Sequence, residues 1–238
     1  MVGAISTLSR RMPSLSVVVP IHNEADFLPS ALPSLIDAVG SVSPDAQILV
    51  IENGSTDGTA DAARRIGGDA VTVVELEHPD KGEALRRGFA LAVGEWVISV
   101  DVDYFSADFF RAVLASDGDV VIGSKRDPES EDGRPLLRRF ATAVFNLMLR
   151  LLLGSRVTDT HGMLGFRREV LEKHSPITVS NTDLFDTELV LRAERAGARI
   201  REVPVVVSEL REARSGLFGR IPRTLKGLLR IRRVLPPR

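Results

Sequence analysis

Three runs of aliphatic and β-branched residues, 15–19, 48–51 and 96–100, each stop abruptly at a polar cluster. Continuous apolar runs of this length predict strands covered on both faces, as in a parallel sheet. A fourth run lies at 71–74. Between them, 27–39, 60–66 and 83–93 read as helices, closed by Gly40, Gly67-Gly68 and Gly94. Residues 15–103 therefore predict β-α-β-α-β-α-β order in an α/β, doubly wound sheet. In open sheets of this kind, ligands bind beyond the carboxyl ends of the strands. That rule places Pro20 to Glu24, Glu52 to Ser55 and Asp101 to Asp103 on one rim.

The second half is less regular. Residues 120–122 read as a strand that exits into Gly123-Ser124-Lys125-Arg126, and 129–133 as a polar loop. A long helix is predicted over 136–153, apolar around most of its circumference although it carries Arg138, Arg139 and Arg150. It reads as a core helix, the alternative being one that lies partly in a lipid interface. Shorter helices follow at 168–173 and 187–196, and 200–207, interrupted by Pro204, reads as an edge strand. Pro222 suits the first turn of a terminal helix with Ile221, Leu225, Leu228 and Leu229 on one face and Arg223, Lys226, Arg230 and Arg233 on another. Such a helix fits an anionic membrane surface, or docks on the body with a solvated basic side.

The chain has 238 residues, 44% of them hydrophobic, enough for one large domain over 15–210 between a leader at 1–14 and a basic tail at 211–238. A net charge of −1 argues against nucleic acid as a partner, although nine Lys or Arg face one acid from residue 211 onward. There is no Cys, which removes disulfides, thiolate metal sites and a cysteine nucleophile. No signal-type apolar core precedes Pro13, and no run reaches the roughly 20 uncharged residues of a membrane span. A cytoplasmic protein, peripheral at the cytoplasmic membrane face, is the expectation.

Candidate chemistry centres on 97–103. In an extended backbone Asp101 and Asp103 project to the same side. Two such carboxylates repel, and the pair becomes favourable around a hard cation such as Mg²⁺ or Mn²⁺ that also holds a diphosphate. Asp-X-Asp occurs in exposed turns as well; the recurrence of strand ends rich in ligand-type residues is what strengthens the functional reading.

Val17-Val18-Val19-Pro20 with Asn23-Glu24, Glu52 to Thr59, Lys81-Gly82-Glu83-Ala84 and Asp101-Val102-Asp103 together resemble the family 2 glycosyltransferases, with their Rossmann-like GT-A fold. Gly123 to Arg126, Arg139, Asp159-Thr160-His161-Gly162, Gly165-Phe166-Arg167 and Glu202 to Val205 resemble the dolichol-phosphate mannose synthase group and polyprenyl-phosphate sugar transferases. The Glu52-Asn53 pair, where many relatives carry two acids, and the 161–164 loop depart from the common patterns.

The resemblance implies a metal-dependent, inverting transfer of a hexose from a GDP-mannose or UDP-glucose type donor to a lipid phosphate. Pro20, Asn23, Glu24, Glu52, Asn53, Gly54, Ser55, Asp80, Lys81 and Gly82 would hold the nucleotide sugar, and Asp101 and Asp103 the metal. Lys125, Arg126 and Arg139 would position an acceptor phosphate, which is ionised already and needs no base. A hydroxyl acceptor on a glycan or metabolite would need one, with Asp159 the candidate and Asp186 or Glu188 behind it. A silent nucleotide-sugar binding module is the non-enzymatic alternative. Each residue also has a plainer reading: Glu24 as a helix-start acid, Gly54 as a turn glycine, Lys81, Lys125, Arg126 and Arg139 as surface charges, Glu188 as a partner of Arg192, and His161 as a structural loop residue.

Overall fold

The computed structural model describes residues 13–181, 184–207 and 221–236. Residues 1–12 of the expected leader and 211–220 of the expected tail lie outside the described residues.

The predicted first half is present: β1 (Leu15–Ile21), α1 (Leu28–Gly40), β2 (Gln47–Asn53), α2 (Thr59–Gly67), β3 (Thr72–Leu76), α3 (Lys81–Leu91) and β4 (Trp96–Ser99). These strands pair in parallel, with Val17 opposite Ile48 and Ile98. Strand pleating sends alternate residues to opposite faces. Val17, Val19, Ile48, Val50 and Ile98 pack on α1 and α2, whereas Val18, Leu49, Ile51 and Val97 pack on α3. The apolar runs are continuous because both faces are covered.

The second half comprises α4 (Ala107–Ala115), β5 (Val120–Ser124), β6 (Glu131–Asp132), α5 (Leu136–Leu153), β7 (Leu164–Arg167), α6 (Arg168–His174), α7 (Phe185–Arg195), β8 (Ile200–Pro204), β9 (Val206–Val207) and α8 (Ile221–Val234). The main sheet runs β3-β2-β1-β4-β7-β5-β8. Among these strands β7 alone is antiparallel, inserted between β4 and β5. Its four residues are too few to show a period, and Gly165 is there because a Cβ would stand 2.8 Å from the Val113 side chain of α4. Helix α4, absent from the sequence reading, is capped by the Ser106 hydroxyl and buries Phe109, Phe110 and Val113. The polar 129–133 segment is tied down: β6 pairs with β9, which leaves the edge strand just after Pro204.

The core assignment for 136–153 is corrected. Of α5 only Leu149 and Leu153 are buried, against Leu191 of α7 and Leu228 and Ile231 of α8. The reason is architectural: α1, α2 and α4 cover one sheet face and α3 and α7 the other, so no core layer remains for α5. Helix α8 is docked through Leu228 and Ile231 and keeps Arg223, Lys226, Arg230 and Arg233 exposed.

Candidate active site

The loops after β1 and β2 brace each other. Asn23 adopts a left-handed backbone at φ 53°. Its N–H donates to the Ser55 hydroxyl at 2.9 Å, and its side-chain carbonyl accepts from the Thr56 N–H at 3.0 Å. The Glu24 N–H donates to Thr59 Oγ1, and the Ala25 N–H to Asp57. Buried Glu52 accepts from the Ser55 N–H at 2.5 Å, and the Asn53 side chain accepts from the Asp80 N–H at 2.7 Å. Gly54, at φ +64°, lies so close to the 78–79 backbone that a Cβ would stand 2.8 Å from it. Pro20 ends the same rim, opposite Ile51. Glu52 and Asn53 thus spend polar atoms on holding the loops, beyond any contact with a base.

The acid pair is built differently from the extended strand expected. β4 ends at Ser99, and residues 101–104 form a turn closed by the Tyr104 N–H donating to the Asp101 carbonyl at 2.9 Å. Strand alternation therefore does not set the direction of Asp101 and Asp103; the turn does. Asp80 caps α3 by accepting from the Glu83 N–H, which starts the helix at Lys81 and aims that residue at the rim. Lys81 Nζ lies 2.8 Å from Asp101 Oδ1, and Gly82 is buried behind it. Burial opposes ionisation of Asp101, but the Lys81 ammonium outweighs it, with Lys125 and His161 adding, so the carboxyl is held below its ordinary range.

Asp186, in the first turn of α7, joins this group. Its Oδ1 is buried without a hydrogen-bond partner. Burial pushes its carboxyl above the ordinary range, with Asp101 reinforcing the shift and Lys81 and His161 opposing it. His161 packs edge-on against Phe145, ring centroids 5.1 Å apart, as befits a structural residue. Its electrostatic influence on both acids was not visible in the sequence, because no second His sits at ligand spacing from it and both acids lie far away along the chain.

On the other side of the turn the cations gather. Lys125 Nζ donates to Asp159 at 2.9 Å and to the His161 carbonyl at 2.6 Å, and lies over the Tyr104 ring, 5.5 Å from its centroid. Gly162, at φ +106°, leaves room for both: a Cβ there would stand 2.9 Å from each. Asp159 is buried, with one oxygen on Lys125 and the other accepting from the His161 N–H at 3.0 Å. It anchors Lys125, which leaves it poorly placed for general-base work. Beyond lies a cleft of about 440 Å³ lined by the cations Lys125, Arg126, Arg134 and Arg139 and by the acids Asp127 and Asp132. Arg134 was missed in the sequence. Asp132 holds it through two hydrogen bonds of 2.8 Å and lies 4.0 Å from Arg139. The 129–134 segment is polar without periodicity, so nothing in its pattern marks this pairing.

Among the described residues no group of three His, Cys, Asp or Glu side chains forms a ready metal cage. Mg²⁺-type sites commonly use one or two carboxylates and complete the shell with water and substrate phosphates. The ionised Asp101 beside Asp103 in one turn fits that kind of site.

A mostly parallel sheet with acids and cations converging beyond its strand ends defines the class: an α/β fold of GT-A type. Residues 16–175 match the family model for glycosyl transferase family 2, and the chain belongs to that family. Among curated relatives, it is 30% identical over 202 residues to glycosyltransferase AglD of Haloferax volcanii, covering 80% of this chain and 32% of the relative. It is 27% identical over 203 residues to an undecaprenyl-phosphate 4-deoxy-4-formamido-L-arabinose transferase of Klebsiella pneumoniae, covering 82% of this chain and 60% of the relative. The chain thus spans about a third and three fifths of these proteins. In fold it is similar to glucosyl-3-phosphoglycerate synthase of Mycobacterium tuberculosis, crystallised with Mn²⁺, UDP and glucosyl-3-phosphoglycerate. That likeness has a TM-score of 0.69 at 23% identity and covers 94% of this chain and 81% of the other.

Proposed function

We propose that this glycosyltransferase moves a hexose, with inversion, from a nucleoside-diphosphate sugar to a polyprenyl phosphate at a membrane surface. The observation that carries the reading is the cleft of Lys125, Arg126, Arg134 and Arg139 beside the Asp101 turn. Guanidinium and ammonium groups in a recess are suited to a phosphate monoester. Such an acceptor is ionised at neutral pH, and Asp159, the expected base, is locked onto Lys125. The name of the Klebsiella relative, which specifies undecaprenyl phosphate, supports the lipid.

In this reading the rim from Pro20 to Ser55, with Asp80 to Gly82, holds the nucleotide sugar, of GDP-mannose or UDP-glucose type. Asp101 and Asp103 would hold Mg²⁺ or Mn²⁺, and the Mn²⁺ complex of the structural neighbour supports a divalent ion. When bound, such a cation neutralises the charge that develops on the departing diphosphate. Lys81 keeps Asp101 ionised; Lys125, fixed by Asp159, and Arg139 orient the attacking phosphate. The basic side of α8 would face anionic lipid.

One observation favours a second reading, a hydroxyl acceptor. Asp186 is a buried carboxyl with an unpartnered oxygen and raised proton affinity, the properties of a general base. A donor-by-acceptor screen that follows nucleoside diphosphate release with Mg²⁺ or Mn²⁺ separates the two. Release that depends on polyprenyl phosphate supports the first; release driven only by hydroxyl acceptors replaces it with the second.

A further inference from the structure

Helix α5 is apolar on two sides, one docked on α7 and α8 and one turned outward. Leu136, Phe140, Val144, Leu147 and Leu151 recur at three- and four-residue spacing and share one side of the helix. That side points away from the protein: Leu136 is 78% exposed, Phe140 67%, Leu147 53% and Leu151 74%. The opposite side packs Phe145, Met148, Leu149, Leu152 and Leu153 in a cluster with Leu191 of α7 and Leu228 and Ile231 of α8, and it also carries polar groups. Asn146 donates to the Thr158 carbonyl, and Thr142 donates to the Arg138 carbonyl of its own helix while lying 3.4 Å from Arg134. In water an amphipathic helix turns its apolar stripe inward. A second apolar stripe left outward marks a surface that meets an apolar surrounding.

Charge identifies that surrounding. Arg139 and Arg150 are exposed on α5, and Arg223, Lys226, Arg230, Arg232 and Arg233 are exposed on α8, which packs against it. The two helices contain eight Lys or Arg and no acid, in a chain of net charge −1. A symmetric contact with a second copy would set this cationic patch against itself, a repulsive arrangement. An anionic bilayer answers both demands, with acyl chains for the stripe and headgroups for its basic border.

We propose that α5 is an in-plane membrane helix whose outer face enters the headgroup–acyl boundary of an anionic bilayer, with α8 supplying cations beside it. The inference deepens the proposed function and rests on it for one consequence: the cleft that ends in Arg139 and Thr142 of α5 is brought to headgroup level, where a lipid phosphate enters without leaving the membrane.

The chain has no cysteine, so Leu147→Cys and, as a control on exposed α1, Ser34→Cys each carry a single environment-sensitive fluorophore in the full chain. Vesicles of phosphatidylglycerol and phosphatidylcholine should blue-shift the probe at 147 and expose it to spin-labelled lipid, and leave the probe at 34 unchanged. Pure phosphatidylcholine should act more weakly. Leu147→Glu with Leu151→Glu should cut vesicle partitioning at least tenfold while circular dichroism and nucleotide binding stay as in the parent. A probe at 147 that vesicles do not shift, or that is already shielded without them by a second copy or another segment, would overturn the proposal. The two readings fail separately. Vesicle insertion without glycosylation of polyprenyl phosphate sinks the acceptor assignment alone, whereas glycosylation in detergent with an unshifted probe sinks the docking alone.

Discussion

Lys81 and Asp101 set the charge of the site. Burial alone would raise the Asp101 carboxyl, and the ammonium 2.8 Å away reverses this. In the Lys81→Ala variant the burial contribution is left less opposed, so the acid limb of the activity–pH profile is expected to move to higher pH; an unmoved limb would disconnect Lys81 from the acid. Asp186 is the opposite case. Its folded-state proton affinity is above the unfolded value, so its contribution to stability is present at pH below the unfolded pKa and is lost as pH rises through the folded one. Asp186→Asn should therefore raise the thermal midpoint, by more at pH 7 than at pH 4. Equal gains at both values would show that Asp186 is not held as described. Gly54 makes a third point: with φ +64° and backbone 2.8 Å from a Cβ, Gly54→Ala should cost on the order of 2 kcal/mol or more and loosen the 78–80 loop. Chemical denaturation together with nucleotide affinity would measure both effects.

At the scale of elements, α8 is held by few residues. Leu228 and Ile231 meet Leu149, Leu153 and Leu191 in a small cluster apart from the two faces of the sheet. Leu228→Ala should cost about 2–4 kcal/mol of the docking of α8, seen as early hydrogen exchange in α8 and the end of α5 with the sheet unaffected. Simultaneous loss of protection in β1 and β2 would contradict that independence. The parallel half of the sheet was legible because Val17 to Val19 and Leu49 to Ile51 are apolar on both pleats, a pattern few other structures require. β7 and α4 were not, since their key feature is mutual, Gly165 making room for Val113. The misreading of α5 has a different source: an apolar stripe gives the side of a helix that avoids water and says nothing about whether protein or lipid lies there.

Across the whole molecule the same limit applies to the site. The rim was legible, because in a doubly wound sheet the strand ends must share one edge, and Asp101, Asp103, Lys81 and Lys125 all lie there. What a linear pattern does not carry is pairing across the chain. Asp159 with Lys125 joins residues 34 apart, and the electrostatic coupling of Asp186 to Asp101 spans about 85; all four were singled out beforehand, but not as partners, and the local pair of Asp132 with Arg134 was not singled out at all. In the proposed function, these pairings would turn scattered charges into an anionic pole for a cation that holds the diphosphate and a cationic pole for an acceptor phosphate. Between them lies the Tyr104 turn.

The most direct test of this two-pole account is nucleoside diphosphate release by the parent and by Asp103→Ala, with Mg²⁺ or Mn²⁺ and with or without polyprenyl phosphate. The parent should release diphosphate and form a glycosylated lipid phosphate only when lipid and metal are both present, and stop on chelation. Asp103→Ala should retain its circular dichroism spectrum and lose turnover on the order of a hundredfold or more. A folded Asp103→Ala variant with near-parental, chelator-insensitive turnover would contradict the account.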